Sequence, residues 1–478
     1  MSEPMSGGIL LAAINAKWIH PSLALRLLKA NLGLLEENCA IIEFALRQPL
    51  REKIDPILAA RPRILGLSVS IWNHTAALEL LKKLHQIWET KDRPFVVLGG
   101  PEVSYLPPQT EIFRYADYCV VGEGEIAFRE LCETIFDKGE SKKSEIIFIN
   151  RKFQQTDITA IKSAYYLYSD DDIRKKLIYV EASRGCPFGC EFCLSARDNN
   201  GAAVHDAHSS KVREFPLKPF FTEMDDLIQR GVHTIKFLDR TFNLNIERAR
   251  QIMEFFLNKI EERAKSFVVH FEMVPSRLPS ELIETIARFP PGTLRLEIGI
   301  QTLNPGVSAR VGRPTEPERE LAVLTLLRKK TNAIIHADLI AGLPGEDITS
   351  FGKGFDLLWA ALAPSTDGDL SAEIQLGILK LLPGAAIARH NAAFGMCYNP
   401  LPPYEVTETA FMSADDLVRL KNFARFWELI VNRGLINIDG FPVFNRFMAL
   451  SDSLFTRFGR NWGIAKKELQ EAVTAFTL

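Results

Sequence analysis

The chain has 478 residues, of which 47% are hydrophobic, and its 57 Lys and Arg residues nearly balance its 59 Asp and Glu residues. This length predicts two or three domains, and the balanced charge gives no overall attraction to nucleic acid or to an anionic membrane. The N-terminus lacks the basic and apolar regions of a secretory signal, and no apolar run approaches the about 20 residues that span a bilayer. We therefore expect a cytoplasmic protein without a membrane span.

The first part of the chain alternates short apolar runs with amphipathic helices. We predict strands at residues 9–15, 40–46, 64–70, 95–99 and 118–121. Strands separated by helices imply an α/β, doubly wound (Rossmann-like) domain with a parallel sheet, which we place at residues 1–140. Such sheets bind ligands at the carboxyl ends of their strands.

Residues that suit a ligand site follow four of these strands. Glycines there let a ligand approach the backbone closely. The candidates are Trp18 and His20 after the first strand, Ser68 at the end of the third, Gly99, Gly100 and Glu102 at the end of the fourth, and Gly122, Glu123 and Gly124 after the fifth.

The pattern then dissolves into polar and charged residues between 137 and 173, and we place a linker at residues 141–175. A second alternating series predicts strands from residue 177 and at 234–238, 268–273, 294–300, 334–340 and 373–379. About six βα units predict a partial (β/α)6, TIM-like barrel over residues 176–400, with its chemistry at the carboxyl ends of the strands. Residues 401–478 read as a helical domain that caps the barrel.

Three of the seven cysteines crowd into the segment Cys186-Pro-Phe-Gly-Cys190-Glu-Phe-Cys193, directly after the first strand of the second series. Three thiolates can hold three irons of a cubane cluster, and the absence of a fourth nearby cysteine leaves one iron open. The main alternative is a zinc site, which needs a fourth ligand such as His205 or His208. The position of the loop favours the iron–sulfur cluster.

This CxxxCxxC motif resembles that of the radical S-adenosylmethionine (SAM) superfamily, and the resemblance covers about residues 177–399. It implies a 4Fe–4S cluster on Cys186, Cys190 and Cys193, with SAM bound at the open iron. It also implies anaerobic, reductive cleavage of SAM to methionine and a 5′-deoxyadenosyl radical. Phe192 matches the aromatic residue commonly found before the last cluster cysteine, where it is suited to pack on adenine.

Residues 297–301 with Arg313, and residues 337–345, resemble the strands that hold SAM in oxygen-independent coproporphyrinogen oxidases. The resemblance implies that Gln301 and Asp338 bond the ribose hydroxyls and that Arg313 pairs with the methionine carboxylate. These roles suit the donors and acceptors of the side chains.

Three further acidic residues are candidate contacts to SAM. Glu272 matches an acidic family position near the methionine moiety, Glu297 starts one of the resembling segments, and Asp239 ends the second strand. Many relatives carry Gly-Gly-Glu where this chain has Asp239, so the group that receives the ammonium stays open. The alternative for all three is an ion pair that closes the barrel rim.

The first domain resembles the cobalamin-binding domain of the cobalamin-dependent radical SAM subgroup, through residues 99–102 and 121–125. The DxHxxG motif that supplies a histidine to cobalt in other cobalamin proteins is missing. Trp18 and His20 are our candidates for the lower cobalt face, with packing of Trp18 and helix capping by His20 as alternatives. Four residues at the end of the third strand are expected either to line the corrin pocket or only to close the sheet: Ser68, Ser70, Trp72 and Asn73.

Nearly the full length is similar to a subgroup with a C-terminal helical domain of unassigned function. Within that tail, we predict that Phe423, Phe426 and Trp427 form a core; stacking on a substrate is the alternative. The tail could also act as a lid that shields radicals from solvent.

We therefore expect a radical SAM enzyme that uses a 4Fe–4S cluster, SAM and cobalamin. A flavodoxin or ferredoxin reductase would supply the electron, and methyl transfer to an unactivated carbon is the first choice. The alternatives are cobalamin-dependent cyclisation or rearrangement, a methylthiotransferase-like modification of transfer RNA, and a non-catalytic cobalamin or cluster sensor. Balanced charge disfavours nucleic acid, and a sensor has no need of Gln301, Arg313 and Asp338.

Overall fold

The computed structural model describes residues 7–89, 93–138, 145–149, 156–196, 212–262, 267–313, 315–363, 371–436, 438 and 440–476. His205 and His208, the alternative zinc ligands, lie outside the described residues. The chain forms two units, the first with Met1–Pro187, Leu194–Lys236 and Leu382–Gly384, and the second with Phe188–Cys193, Phe237–Leu381 and Ala385–Leu478.

Six parallel strands form the sheet of the first unit. They are β1 to β6, at Ile9–Asn15, Cys39–Ala45, Ile64–Ser68, Phe95–Gly99, Tyr118–Val120 and Ile147–Ile149. The helices α1 to α4 that connect them lie at Leu23–Ala30, Leu50–Ala60, His74–Ile87 and Glu125–Lys138. The strand order β2-β1-β3-β4-β5-β6 reverses between β1 and β3, and a doubly wound sheet binds ligands outside the carboxyl ends at such a reversal.

Strand β1 shows why this sheet is covered by helices on both faces. Leu10, Ala12 and Ile14 join one buried hydrophobic cluster, whereas Ile9, Leu11 and Ala13 join another. Because successive side chains of a strand point to opposite faces, β1 is buried on both sides. The predicted doubly wound domain is confirmed.

The predicted linker contains regular structure. Strand β6 pairs in parallel with β5, and helix α5 follows at Asp170–Lys175 with Ser169 as its N-cap. A three-residue strand is too short to show a readable alternation in sequence, which explains why β6 was missed.

The second sheet has the order β14-β13-β12-β11-β10-β7. Its strands β7 and β10 to β14 lie at Ile178–Val180, Thr234–Phe237, Val268–Met273, Leu294–Gln301, Ile334–Ala341 and Ala372–Ile378, and a small ribbon joins β8 (Ser183–Arg184) to β9 (Arg213–Glu214). Helices α6 to α11 lie at Leu217–Gln229, Ile246–Glu261, Ser280–Ala287, Pro305–Arg310, Pro317–Lys330 and Ile348–Leu362. This series has the six strands predicted for the partial barrel.

Strands β11, β12 and β13 each have one apolar and one polar face. In β12, Leu294, Leu296, Ile298 and Ile300 are buried, whereas the alternate positions 295, 297, 299 and 301 are half-buried. The same alternation places residues 270 and 272 of β11 and residues 336 and 338 of β13 among the half-buried positions. The polar face therefore collects most of the predicted SAM contacts.

The last part of the chain has a hairpin, β15 (Cys397–Tyr398) with β16 (Val406–Glu408), and helices α12 to α14 at Ala414–Trp427, Phe444–Phe458 and Lys466–Thr474. Phe423, Phe426 and Trp427 are fully buried, so their predicted core role is confirmed. A π-helical turn, Glu428–Asn432, follows α12 and lets the Asn432 amide bond both the N–H and the carbonyl of Ile374. The amide thereby satisfies backbone groups of β14, which stands last in its sheet.

Within the described residues, no helix combines the length and the hydrophobicity that a bilayer crossing requires.

Arg26 of α1 supports a test of how the first unit is held together. Its buried guanidinium contacts Glu43 of β2 at 2.9 Å and Asp172 of α5 at 3.0 Å, and lies over the Tyr168 ring. Arg26→Met leaves buried carboxylate charge uncompensated, so we expect the free energy of unfolding to fall by about 3 kcal/mol in urea titrations. Arg51→Met, which breaks an exposed pair, is the control and should change it by about 0.5 kcal/mol or less. Equal effects would contradict the role given to Arg26.

Candidate functional site

The three predicted cluster cysteines lie in the loop after β7 and are free of disulfide bonds. Cys190 is buried, and Cys186 and Cys193 are half-buried. Within the described residues, no three His, Cys, Asp or Glu side chains are already gathered as metal ligands would be. The assignment of the cluster to these cysteines therefore stays a prediction. It rests on the donor set, since three thiols outside any disulfide in one short loop suit three irons.

The Arg313 side chain contacts both the cysteine loop and β12. Its Nη1 lies 3.7 Å from Cys190 Sγ, and its Nη2 donates to the carbonyl of Gly299. Burial raises the pKa of the Cys190 thiol, and the neighbouring guanidinium acts in the opposite direction. The predicted carboxylate-binding arginine thus lies beside a predicted cluster ligand.

Gln301 is the next part of this site. It ends β12 at a register shift, with φ of 68°, a left-handed conformation that is uncommon for residues other than glycine. A Cβ added to Gly299 would lie 2.4 Å from the Gln301 amide nitrogen. A side chain at position 299 would displace this amide from its present position, so Gly299, Gln301 and Arg313 form one closely packed group.

Glu191, between two of the cysteines, holds the loop in place. Its buried carboxylate accepts from Arg389 and lies 2.8 Å from His390 Nε2. Its backbone N–H donates to Val311, and its carbonyl accepts from Ile387. A Cβ on nearby Gly312 would meet the Gly189 carbonyl at 2.5 Å. Sequence reasoning missed Glu191, because its partners lie far along the chain.

The remaining predicted SAM contacts lie on the polar face or beside it. Asp338 of β13 pairs in register with Gly299, and Glu272 of β11 with Glu297 of β12. Glu297 lies 3.2 Å from His270 Nε2, in agreement with the ion-pair alternative for this residue. Asp239, after β10, is buried, and Phe192 is half-buried.

Asn243 shapes the loop that contains Asp239. It is fully buried, and its amide bonds the Val274 N–H and the carbonyls of Val274 and Arg277. The loops after β10 and β11 are thereby tied together at the carboxyl ends of their strands. The sequence did not single out Asn243 as a loop anchor, because its partners lie 31 and 34 residues further along the chain.

The reversal point of the first sheet exposes two tryptophans. Trp18 follows β1 and is 56% exposed, and Trp72 follows the neighbouring β3 and is 51% exposed. Large exposed aromatic side chains at adjacent strand ends are typical of a ligand surface. This edge therefore fits the flat, largely apolar corrin of cobalamin.

His20, the second candidate for the lower cobalt face, is hydrogen-bonded. Its Nδ1 lies 2.8 Å from the Tyr179 hydroxyl. Burial, with smaller effects from Lys17 and Lys236, lowers the pKa of the imidazole. The capping alternative is wrong, because the N-cap of α1 is Ser22.

Other predicted cobalamin residues take part in closing the sheet. Asn73 donates to the carbonyls of Ile14 and Ser68, which ties β1 to β3. A Cβ on Gly100 would lie 2.4 Å from the Val69 carbonyl, so this glycine permits a close backbone approach. Gly99, directly before it, accepts from the Val69 N–H. Backbone packing thus accounts for part of the glycine pattern.

Two acidic residues of the first unit have charged or basic partners. Glu102 is buried against His74, with 2.9 Å between Oε1 and Nδ1. Glu123, between Gly122 and Gly124, accepts from Arg213 and from the Thr156 N–H. Although burial opposes ionisation, Arg213 and Arg184 hold the pKa of Glu123 below its usual value. The contact of Glu102 and Glu123 with cobalamin stays a prediction.

Glu346, in the loop after β13, is a buried carboxyl group that the sequence did not single out. Its Oε1 accepts from Thr302, next to Gln301, at 2.6 Å, and its Oε2 has no hydrogen-bond partner among the described residues. Burial raises its pKa to about 7, although Thr302 acts in the opposite direction.

This raised pKa predicts a pH-dependent stability. The folded protein binds the proton more tightly than the unfolded chain, so ionised Glu346 destabilises the fold above the raised pKa, and the penalty shrinks as the pH falls toward the ordinary value of 4.5. We expect Glu346→Gln to increase the free energy of unfolding by roughly 2 kcal/mol at pH 8 and by much less at pH 5, measured by urea titration. Glu284→Gln, at an exposed position of α8, is the control. A gain that does not vary with pH would contradict this assignment.

Comparison with known families agrees with this arrangement. The model of the radical SAM superfamily matches residues 180–358, and the model of the B12 binding domain matches residues 9–132. The first match spans the cysteine loop, β12 and Arg313, and the second spans β1 to β5.

Two curated relatives show partial similarity. An uncharacterized methyltransferase of Pyrococcus horikoshii, PH0819, is 27% identical over 332 residues, which are 64% of this chain and 67% of the relative. The ribosomal protein uS12 methylthiotransferase RimO of Clostridium botulinum is 26% identical over 205 residues, or 40% of this chain. This chain spans 44% of the length of RimO.

Two solved structures share the fold over most of the chain. The radical SAM methyltransferase TsrM of Kitasatospora setae, with tryptophan and a SAM analogue, has a TM-score of 0.60 at 16% identity and covers 84% of this chain and 80% of its own. The cobalamin-dependent SAM radical enzyme OxsB, with aqua-cobalamin and SAM, has a TM-score of 0.62 at 14% identity and covers 98% and 79%. At such low identity the likeness establishes the fold alone.

The matched domains imply SAM with a 4Fe–4S cluster for the second domain and cobalamin for the first. The thiols of the cysteine loop fit the former, and the exposed tryptophans at the sheet reversal fit the latter. The chain thus combines a region that matches the radical SAM superfamily with a region that matches the B12 binding domain.

Proposed function

We propose that this protein is a cobalamin-dependent radical SAM methyltransferase that acts on an unactivated carbon atom. The observation that carries the proposal is the group formed by Arg313, Gly299 and Gln301 beside Cys190, in a chain that also has a B12-binding domain. The names of the Pyrococcus relative and of TsrM, both methyltransferases, support the choice of reaction.

The residues that would hold the cofactors follow from their chemistry. Cys186, Cys190 and Cys193 would hold the cluster, while Arg313 would pair with the SAM carboxylate through its guanidinium fork. The remaining proposed SAM contacts are Phe192, Asp239, Glu272, Glu297, Gln301 and Asp338. For cobalamin we propose Trp18, His20, Ser68, Gly99, Gly100, Glu102, Gly122, Glu123 and Gly124.

When bound, the cluster would supply the electron for cleavage of SAM to a 5′-deoxyadenosyl radical, and cobalamin would supply the cobalt that carries the methyl group. The protein's task is to bind, orient and shield. Gln301 would accept from the ribose hydroxyls, and the packed Gly299 backbone keeps its amide in place. The tail would help to exclude water from the radical.

The electron would come from a flavodoxin- or ferredoxin-type reductase, in an oxygen-free, reducing cytoplasm. We also propose the boundaries of residues 1–140 for the cobalamin domain, 141–175 for the linker, 176–400 for the barrel and 401–478 for the cap.

Cyclisation or rearrangement is the alternative with the same cofactors. Modification of RNA, as in methylthiotransferases, has weaker support, because RimO aligns with only 40% of this chain and the net charge is −2. A sensor would not require the packed Gly299–Gln301–Arg313 group.

The test is anaerobic reconstitution with iron, sulfide and hydroxocobalamin, followed by dithionite and SAM. We expect a 4Fe–4S EPR spectrum that changes on addition of SAM, a corrinoid absorption spectrum in the purified protein, and formation of 5′-deoxyadenosine. S-adenosylhomocysteine alone would indicate polar methylation, and neither product with an intact cluster would favour a sensor. Absence of bound corrinoid would refute the cobalamin-dependent reaction.

Gly299 allows a test of the SAM site without removal of a proposed ligand. Gly299→Ala pushes a methyl group into the Gln301 amide, so we expect the dissociation constant for SAM to rise about tenfold, or roughly 1.4 kcal/mol. The measurement is a titration of the reconstituted protein with SAM, followed by cluster EPR. Gly354→Ala in α11 is the control, because the nearest atom to its added Cβ, Leu303 Cβ, is at an ordinary 3.5 Å. Equal affinity in both variants would contradict the placement of SAM at Gln301.

A further inference from the structure

Arg184 lies in β8, two residues before Cys186, and its side chain is nearly buried. Its Nε and Nη2 donate to the Glu181 carboxylate at 2.6 to 3.1 Å. The same Nη2 donates to Glu125 Oε1 at 2.6 Å. The guanidinium therefore joins the start of the cysteine loop to the first residue of α4, in the B12-binding domain.

A second arginine reaches the same loop. Arg213 of β9 pairs in register with Arg184 of β8, and its guanidinium donates to both oxygens of Glu123. Arg213 also donates to the Thr156 carbonyl at 2.7 Å, while the Thr156 N–H donates to Glu123. The β8–β9 ribbon thus presents two guanidinium groups to residues 122–125.

The composition of this network indicates a role in positioning. Three carboxylates, those of Glu123, Glu125 and Glu181, surround the two guanidinium groups, so the ions are paired but their charges do not cancel. A buried ion network gains little stability over apolar packing, because desolvation of the ions offsets their attraction. The network does fix the relative orientation of the segments that it joins, since the N–H groups of a guanidinium donate to carboxylates only in a few geometries.

The loop that the network holds has two glycines in positions that other residues would fill poorly. Gly122 has φ of 73°, and a Cβ on Gly124 would approach Leu28 to 3.1 Å. This loop follows β5 at the carboxyl edge of the first sheet, the edge where such sheets bind ligands. One side of the network is therefore the proposed cobalamin edge, and the other side is the backbone that leads into the first cluster cysteine.

We propose that Arg184 is a positioning residue that sets the position of the proposed cobalamin edge relative to Cys186, the first proposed cluster ligand, by fastening the Gly122–Glu125 loop to the start of the cysteine loop. This inference rests on the proposed function. It gives Glu123 and Glu125 the task of holding the loop through their bonds to Arg213 and Arg184.

The experiment compares wild type with Arg184→Lys, Arg184→Met and Glu125→Gln, each reconstituted anaerobically with cluster and cobalamin. Arg184→Lys keeps the charge and loses the fork, and Glu125→Gln weakens one contact. Arg51→Met, which breaks an exposed pair in the same unit, is the control. The readouts are iron and corrinoid content, and the relaxation enhancement that the reduced cluster causes in the cob(II)alamin EPR signal, which depends steeply on distance and orientation.

We expect the Arg184 and Glu125 variants to bind both cofactors with an altered relaxation enhancement, and Arg51→Met to match wild type. Wild-type enhancement in fully loaded Arg184 variants would overturn the positioning role. Loss of both cofactors in all three variants would also overturn it, since the network would then serve folding alone. If wild type itself binds no corrinoid, the proposed function fails, and this inference fails with it.

Discussion

The contact on which the proposed SAM site depends is the one that Arg313 makes with both the cysteine loop and β12. One nitrogen of its guanidinium lies at Cys190 Sγ, and the other donates to the Gly299 carbonyl of β12. Because an arginine is always charged and its fork is planar, this placement holds a fixed positive charge beside the thiol and the strand end. A fixed positive charge at this point suits a carboxylate ligand.

The neighbouring constraints support the same site. Glu191 ties the cysteine loop to residues near 311 and 387 through its side chain and its backbone, and Gly312 lets the Gly189 backbone approach. Gln301 accepts an uncommon backbone conformation that turns the chain at the end of β12. Strained or left-handed residues of this kind are typical of functional sites, where the surrounding structure maintains them.

In the first unit, the reversal of strand order between β1 and β3 has the equivalent role. It lies at the carboxyl ends of the strands, where Trp18 and Trp72 are exposed. Polar residues nearby have partners within the protein, as His20 has in Tyr179 and Glu102 in His74. This edge therefore offers exposed aromatic side chains to a ligand, which suits the flat face of a corrin macrocycle.

Local patterns in the sequence determined the strand series, the doubly wound and barrel classes and the cysteine motif, whereas the candidate SAM residues came from resemblance to a known family. Alternation of apolar residues and the spacing of three thiols are properties of neighbouring residues, so one sequence displays them. Tertiary structure alone decided the partners of Glu123, Glu191 and Arg184, the crowding of Gly299 against Gln301, and the burial of Glu346. Each depends on side chains brought together from distant segments or on a backbone angle, and neither property leaves a periodic signal in the sequence.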